Sequence, residues 1–217
     1  MTDTPHAADR DVQHTYNRIA SHFAKTREYP WPEVESFLDE ECAAPAVALD
    51  LGCGNGRHAE LLAAQAADVV CVDASTGLLS EARDRAAAND FDATLVAGDA
   101  ACVPVASGTV DIAVYVATLH HLRDRDARVA SLTELARVLA PDGTALVSAW
   151  STAHDRFDAT TGFDTTVDWT LPGGETVPRF YHVYDPDEFD ADLAASDLRV
   201  VSSTVSSGNC YAVVAPA

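Results

Sequence analysis

The residues whose types and spacing suggest chemistry begin with a glycine-rich turn. Gly52, Gly54 and Gly56 alternate directly after the apolar run 46–51 and before a segment of helical character. Glycine lets a backbone adopt positive φ and approach a ligand closely. The free N–H groups at the start of the following helix can bind a negatively charged group. Strand, glycine-rich turn and helix in this order therefore predict a site for the anionic part of a ligand.

Two acidic residues extend this site. Asp73 closes the second apolar run, about 20 residues after the glycines, and Asp99 follows the third run. The carboxyl ends of parallel strands meet at one edge of an open sheet, and ligands bind there. Asp73 is then placed to accept hydrogen bonds from a ribose diol, and Asp99 to accept one from an exocyclic adenine amine. The competing interpretation is that all three features are ordinary turns.

The spacing of the glycines separates two cofactor classes. Dinucleotide-binding turns have the pattern Gly-x-Gly-x-x-Gly, whereas here position 57 is arginine and the last glycine comes one residue earlier. This shift disfavours a pyrophosphate and fits a smaller charged group, such as the amino-acid end of S-adenosylmethionine. The spacing is therefore compatible with S-adenosylmethionine as the cofactor. The residues predicted to bind it are Tyr16, Asp50, Gly52, Cys53, Gly54, Asn55, Gly56, Asp73, Ala74, Asp99 and Ala100.

The elements that must position these residues follow from hydrophobic periodicity. Short apolar runs alternate with helical patterns along most of the chain. The predicted helices are 9–25, 32–42, 55–66, 75–88, 124–139 and 187–195, and the predicted strands are 46–51, 69–72, 93–97, 110–116, 144–150, 198–205 and 211–214. Such alternation predicts an α/β fold with a parallel sheet covered on both faces. The turn at 207–209 predicts a hairpin, which makes the last strand antiparallel.

Residues 151–184 interrupt this pattern, because they contain Pro172-Gly173-Gly174 and few apolar runs. We expect a long loop or insertion there, and long loops in compact domains tend to be functional. We expect a single domain over 1–217. It would consist of an N-terminal helical cap (1–44), a cofactor-binding core (45–150), a substrate-recognition insertion (151–184) and the C-terminal part of the sheet (185–217).

Composition narrows the protein class. The chain has 34 acidic and 14 basic residues, a net charge of −20, and Lys25 as its single lysine. We interpret this balance as the solvated acidic surface of a halophilic protein, which would still allow an RNA partner because molar salt screens net charge. The five cysteines lack metal-site or disulfide spacing, so no metal is predicted. Neither a membrane-spanning run nor a signal-peptide core is present, which predicts a cytoplasmic protein without membrane contact.

Several motifs resemble a known family. The chain resembles the class I S-adenosylmethionine-dependent methyltransferases in five stretches: 49–56 (LDLGCGNG), 72–75 (VDAS), 98–100 (GDA), 118–122 (TLHHL) and 134–143 (ELARVLAPDG). The resemblance implies a Rossmann-like fold, with a seven-stranded, mostly parallel sheet, an antiparallel last strand and an N-terminal helical cap.

The flanking segments narrow the resemblance. Residues 16–32, 179–184 and 208–214 are similar to blocks of the tRNA wobble-uridine carboxymethyl methyltransferases, which esterify a carboxymethyl group in the anticodon loop. This similarity implies a tRNA substrate and a possible heterodimer with a small zinc-binding activator protein. A carboxylate is already ionised at neutral pH, so its methylation requires orientation rather than a general base.

Seven residues are predicted to act on the acceptor. Arg27, His120 and Arg179 are the candidate catalytic residues that orient it, and Trp31, Trp150, Tyr181 and His182 are the candidate substrate-binding residues. Arg27 is placed to hold the carboxylate of the cofactor or that of the acceptor. Of His120 and His121, one is expected to contact a ligand and the other to pack. Packing or surface exposure is the alternative for each of the seven residues, and packing is also the alternative for Tyr16.

Two other functions remain open at this point. The first is a small-molecule methyltransferase, for example one acting on a quinone-like acceptor, whose core motifs would look much the same. The second is a non-catalytic subunit that binds the cofactor.

Overall fold

A computed structural model describes residues 7–40 and 44–217 of the chain. Helices α1 (Ala7–Thr26) and α2 (Pro32–Glu40) come first, and the prolines at 30 and 32 separate them. Proline disfavours helical backbone in the residue before it and suits a first helical turn, which explains the break and the restart. The predicted end of α2 at Cys42 lies outside the described residues.

Seven strands form the central sheet, in the order β3-β2-β1-β4-β5-β9-β8. The strands are β1 (Val47–Leu51), β2 (Asp68–Asp73), β3 (Thr94–Ala97), β4 (Val110–Val116), β5 (Leu139–Trp150), β8 (Leu198–Ser206) and β9 (Asn209–Pro216). The first five run parallel, and β9 pairs antiparallel with both β5 and β8. The predicted seven-stranded α/β sheet with an antiparallel last strand is confirmed.

Helices cover both faces of this sheet. They are α3 (Ala59–Ala63), α4 (Thr76–Asn89), α5 (Arg125–Val138) and α6 (Pro186–Ala194). One buried apolar cluster lies on the side of α5 and α6 and includes Leu132, Leu135 and Phe189. A second lies on the side of α2 and α3 and includes Phe37 and Leu62. Residues on both faces of the same strands are therefore apolar, as expected for parallel strands in the interior of a fold.

Two segments differ most from the sequence prediction, and β5 begins at Leu139 rather than at the predicted residue 144. The helix predicted over 55–66 is reduced to α3, because residues 52–58 form the turns of the glycine-rich loop. The long loop or insertion predicted for 151–184 contains an antiparallel hairpin of β6 (Phe163–Thr170) and β7 (Thr176–Val183). Here the pattern of alternating buried and exposed residues on β6 is the signature of a strand with one covered face.

The hairpin packs on α1 rather than joining the main sheet. A small apolar cluster of Ile19, Trp169 and Val177 lies between the two elements. The Trp169 indole N–H donates a 3.0 Å hydrogen bond to Nδ1 of His22. Helix α1 and the hairpin thus form one wall over the carboxyl edge of the sheet. In the described part of the chain, every helix is too short or too polar to cross a lipid bilayer.

Candidate active site

A cavity of about 450 Å³ opens at the carboxyl edge of the sheet, beneath α1. This volume lies within the range of about 300–1,000 Å³ that is typical of small-molecule sites. Its lining comes from the ends of β1, β2, β3 and β4 and from α1. The lining residues include Val12, Tyr16, Phe23, Gly52, Cys53, Gly54, Asn55, Arg57, Asp73, Ala74, Asp99, Ala100, Thr118 and His121.

The glycine-rich turn forms the floor of the cavity. The N–H groups of Gly52 and Cys53 both donate to the Val72 carbonyl, at 2.7 and 3.1 Å, which ties the turn to the end of β2. Gly52 has φ +72°, and a Cβ there would lie 2.1 Å from Oγ1 of Thr118. At Gly54 a Cβ would project toward the ring of Phe23, 3.8 Å away. Bare backbone therefore faces the cavity and leaves room for a ligand.

Asp73 links the turn to the next helix. Its Oδ2 accepts from the N–H of Gly54 at 2.8 Å, and its Oδ1 accepts from the N–H of Ser75 at 2.7 Å. Burial raises the pKa of Asp73, and these two hydrogen bonds oppose that shift. Asp73 lines the cavity, and each of its carboxylate oxygens can accept a second hydrogen bond, which suits the hydroxyls of a ribose. Asp99 lies at the far end and accepts from the N–H of Ala101 at 2.9 Å.

The structure brings together nine of the eleven residues predicted to bind the cofactor. The exceptions are Asp50 and Gly56, which do not line the cavity. Asp50 is buried within β1, and burial together with the nearby Asp73 raises its pKa to about 7. A Cβ on Gly56 would lie 3.2 Å from that of Ala82, so this glycine allows α4 to pack closely. The donors and acceptors on the cavity wall fit S-adenosylmethionine.

Arg57 lines the cavity although the sequence analysis did not select it. Its guanidinium lies 5.3 Å from the Trp31 ring centroid, and within the described residues it forms no salt bridge. Burial lowers its pKa to about 10, with a smaller contribution from the nearby Arg27. Its position directly after Gly56 was the available signal. Asp50 lies close enough to oppose this pKa shift but forms no salt bridge with Arg57, which leaves the guanidinium suited to a ligand carboxylate.

A chain of hydrogen bonds joins Tyr16, His121 and the hairpin. Nδ1 of His121 lies 2.8 Å from the Phe180 carbonyl, and because a carbonyl only accepts, this nitrogen carries the proton. Nε2 then accepts from the Tyr16 hydroxyl, also at 2.8 Å. Burial lowers the pKa of His121 to about 4 and raises that of Tyr16 well above its ordinary value. Both side chains are therefore neutral at physiological pH.

His120 points away from the cavity. The Trp150 backbone N–H donates to its Nδ1 at 3.0 Å, and its ring packs against Tyr181 at 5.0 Å between centroids. Burial lowers its pKa well below the ordinary value. Of the histidine pair, His121 lines the cavity and His120 packs behind it, so the histidine that faces the ligand site is the neighbour of the one selected from sequence.

Arg27 and Arg179 converge on one aromatic ring. The guanidinium of Arg179 lies 4.7 Å from the Trp169 ring centroid, and that of Arg27 lies 5.4 Å from it. Arg179 is 8% exposed, and its Nε has no hydrogen-bond partner. Arg27 donates from Nη1 to the Thr26 carbonyl and forms no salt bridge among the described residues. Neither arginine lines the main cavity; both lie behind its wall of Tyr16 and Phe23.

The four predicted substrate-binding residues lie in different places. Tyr181 packs against Trp150 and both histidines, close to the cavity wall. Trp31 packs on Tyr211 and His58 and anchors the start of α2. His182 faces the opposite side of the hairpin. Its two ring nitrogens lie 2.7 Å from Asp164 and 2.9 Å from Glu188.

Four further residues lie near the site but are not among those predicted from the sequence: Phe23, Trp169, Arg57 and Arg123. Phe23 follows Tyr16 by seven residues, which is two helical turns on the same face, so its position was readable from the sequence. Trp169 and Arg123 come together only through the packing of the hairpin on α1 and on the segment after β4. No group of acidic, histidine and cysteine side chains in the described residues is arranged to hold a metal.

Comparison with known proteins agrees with this geometry. The family described as "Methyltransferase domain" matches residues 48–143. The mouse tRNA (carboxymethyluridine(34)-5-O)-methyltransferase is 37% identical over 142 residues, which are 65% of this chain and 20% of that protein. The fission yeast enzyme of the same name is 30% identical over 166 residues, which are 74% of this chain and 68% of that protein. The chain thus spans about a fifth of the mouse protein.

The fold also matches solved structures. A Burkholderia thailandensis 1,6-didemethyltoxoflavin-N1-methyltransferase superposes with a TM-score of 0.74 at 20% identity, over 100% of this chain and 92% of that one. At this identity the likeness concerns the fold alone, which agrees with the strand order and the glycine-rich turn described above. Fold, motifs and relatives together show that the chain belongs to the class I S-adenosylmethionine-dependent methyltransferases and shares a family with the tRNA (carboxymethyluridine(34)-5-O)-methyltransferases.

Proposed function

We propose that this protein methylates the carboxylate of a carboxymethylated wobble uridine in tRNA. The observation that carries the proposal is that both ring nitrogens of His121, a histidine on the cavity wall, are occupied by hydrogen bonds to Tyr16 and to the Phe180 carbonyl, so neither nitrogen is free to take a proton from an acceptor. Efficient bases have a pKa near the working pH. His121, with a pKa of about 4, and Tyr16, with a pKa well above its ordinary value, both lie outside that range. An acceptor that arrives already ionised needs no base.

The chemistry then depends on placement. S-adenosylmethionine supplies the methyl group, which bonds to a carboxylate oxygen while the electrons of the broken carbon–sulfur bond stay on sulfur. No proton moves, so the chain contributes orientation and exclusion of water. A quinol hydroxyl, by contrast, must lose a proton, and the neutral pair of Tyr16 and His121 offers no group matched to that task. The carboxylate acceptor is therefore favoured over the small-molecule alternative.

Cofactor binding is assigned to residues on the cavity wall. The backbone of Gly52 and Gly54 and the guanidinium of Arg57 would hold the amino-acid end, Asp73 the ribose and Asp99 the adenine amine. Arg57 lines the cavity and Arg27 does not. This arrangement leaves Arg27 for the carboxylate of the acceptor.

Substrate recognition is assigned to α1 and the hairpin of residues 163–183. Arg27 and Arg179 are the cations at this wall, and Tyr181 with Trp150 supports it from behind. The contacts of Trp31 and His182 are those of packing residues, and their assignment to the substrate, like the catalytic role of His120, stays a prediction. The names of the mouse and fission yeast relatives support a tRNA acceptor.

The test is transfer of labelled methyl groups to tRNA whose wobble uridine carries the free carboxymethyl acid. We expect the label in the tRNA fraction, where nuclease digestion should remove it. Mild alkali should release the label as methanol, because the product is a methyl ester. Alkali-stable label would contradict esterification, and label in a small-molecule fraction would support the quinone-like alternative. Binding of S-adenosylmethionine without any transfer would point to a non-catalytic subunit.

A small zinc-binding activator remains the proposed partner, on the family resemblance alone. Comparing the purified chain with the same chain co-purified from its own cells tests this. Equal turnover by both preparations would remove the activator from the proposal.

A further inference from the structure

A second cavity, of about 200 Å³, lies between α1 and the hairpin. Its walls include Asp11, Thr15, Arg123, Thr166, Arg179 and Phe180. Val12 and Tyr16 line this cavity as well as the larger one, so the two are separated by a single layer of side chains. None of the functions assigned so far uses the space itself.

Two arginines of this cavity each have one buried N–H donor without a hydrogen-bond partner. The Nε atoms of Arg123 and Arg179 are both inaccessible to water and form no hydrogen bond. Each guanidinium is fixed by an aromatic ring: Arg123 lies 4.3 Å from the centroid of Phe180, and Arg179 lies 5.2 Å from that of Tyr181. A buried donor without an acceptor costs free energy. Because both Nε atoms are closed to a molecule the size of water, a ligand in the cavity would meet the Nη groups of these two lining residues.

Local charge compensation for the two arginines is weak. In the part of the chain that the structure describes, Arg179 forms no salt bridge, and the one formed by Arg123 reaches Asp11 at 4.0 Å. The Asp11 side chain is 80% exposed, so solvent screens that contact. Two neighbouring cations with so little compensating negative charge are unusual in a chain with 34 acidic and 14 basic residues. Two preorganised guanidinium forks with threonine hydroxyls beside them match the geometry of an oxyanion.

We propose that this cavity binds a phosphate group of the acceptor RNA, next to the nucleotide that is methylated. The proposal rests on the proposed function, because the position beside Tyr16 places the phosphate one residue layer from the cofactor cavity. The acceptor's own carboxylate is the other oxyanion within reach. The cavity volume and its two arginines suit a tetrahedral group held from two sides, and Arg27 serves the carboxylate.

Binding is tested first, with inorganic phosphate as the probe. Phosphate should raise the Tm of the wild-type chain more than chloride does at equal ionic strength. Arg123→Gln should lose this difference, whereas Arg199→Gln, which removes an equal charge from exposed β8, should keep it. Equal responses to phosphate and chloride, or an unchanged response in Arg123→Gln, would overturn the oxyanion site.

Activity separates the phosphate from the carboxylate. With an anticodon stem-loop as acceptor, Arg123→Gln should lower kcat/KM about tenfold or more, because charge-assisted hydrogen bonds are lost. With free 5-carboxymethyluridine nucleoside, which has no phosphate, kcat/KM should match that of Arg199→Gln, and the KM for S-adenosylmethionine should not change. Equal losses on both acceptors would place the carboxylate in this cavity and refute the phosphate. If the wild type methylates neither acceptor, the proposed function fails, while the phosphate-binding result still decides whether the oxyanion site exists.

Discussion

Among single residues, the two arginines nearest the cofactor cavity differ in what they can reach. Arg57 lines the cavity itself, whereas Arg27 lies behind Phe23 with its guanidinium 5.8 Å from that ring's centroid. The like charges of the two lie close enough to lower the pKa of Arg57 further. Two carboxylates, one on the cofactor and one on the acceptor, would satisfy both cations.

We predict that Arg57→Gln and Arg27→Gln affect different ligands. Arg57→Gln should weaken S-adenosylmethionine binding about tenfold or more, as expected for the loss of a charge-assisted hydrogen bond. Arg27→Gln should change that affinity by less than about twofold and instead raise the KM for RNA. Calorimetric titration with the cofactor and steady-state kinetics with tRNA measure the two effects. Equal weakening of cofactor binding by both variants would assign Arg27 to the cofactor.

For single residues, the sequence predicts a role well when it depends on where the backbone lies. It predicts a role less well when it depends on the direction in which the side chain points. Gly52, Gly54 and Asp73 lie where a strand-turn-helix unit must place them. The choice between His120 and His121 depends on the 3-10 turn Leu119–His121, which directs one ring to the cavity and the other to Trp150. Nothing in the local pattern of two adjacent histidines encodes that direction.

At the level of elements, a buried ionic network joins α5, α6 and the end of the hairpin. Arg128, which is 3% exposed, lies 3.4 Å from Asp192 and 3.5 Å from Glu188. Tyr184 donates to the same Asp192 at 3.0 Å, and His182 contacts Glu188. His182 and Tyr184 at the end of the hairpin are thus fixed to the helical layer, while Arg179 and Tyr181 lie on the other side of the strand.

Removing the buried cation should destabilise this junction strongly. We predict that Arg128→Met costs about 3 kcal/mol or more in the free energy of unfolding, because the fully buried Asp192 loses its buried cation. The control is Arg125→Met, which removes a 53% exposed partner of the same Asp192 and should cost less than about 1 kcal/mol. Urea unfolding measures both. Similar losses in the two variants would contradict the importance of burial here.

The elements predicted best from the sequence are those whose pattern is local. Strand β4 has the predicted bounds Val110–Val116, and the cap predicted at Ser75 accepts from the Leu78 N–H. The hairpin at 163–183 was missed because its covered face is formed by α1, about 140 residues away in sequence, rather than by neighbours along the chain. Its strands therefore lack the continuous apolar runs that mark the parallel sheet.

For the molecule as a whole, charge is the dominant property. A net charge of −20 on 217 residues destabilises the compact state through self-repulsion at low ionic strength. The halophilic interpretation and the proposed RNA acceptor both require that this repulsion be screened. At about 1 M salt the Debye length falls to about 3 Å, so local cations such as Arg123 and Arg179 act independently of the net charge.

We predict that the Tm rises steadily as KCl increases from about 0.05 M to about 1 M, because screening relieves the repulsion. A second titration with potassium sulfate at equal ionic strength is the control. Charge screening alone gives the same Tm in both salts, whereas exclusion of the salt from the protein surface gives a higher Tm in sulfate. Differential scanning fluorimetry measures the Tm at each salt concentration. Equal Tm values in dilute buffer and in molar KCl would remove the case for a halophilic protein.

The hydrogen-bonded path from Tyr16 through His121 to the Phe180 carbonyl has a thermodynamic consequence. It connects the helix over the cofactor cavity to the hairpin that lines the second cavity, so we expect occupation of one cavity to affect binding in the other. By linkage, the factor by which RNA tightens S-adenosylmethionine must equal the factor by which S-adenosylmethionine tightens RNA. We expect Tyr16→Phe, which removes this hydroxyl, to bring both factors closer to one, as measured by titrating each ligand in the presence and in the absence of the other.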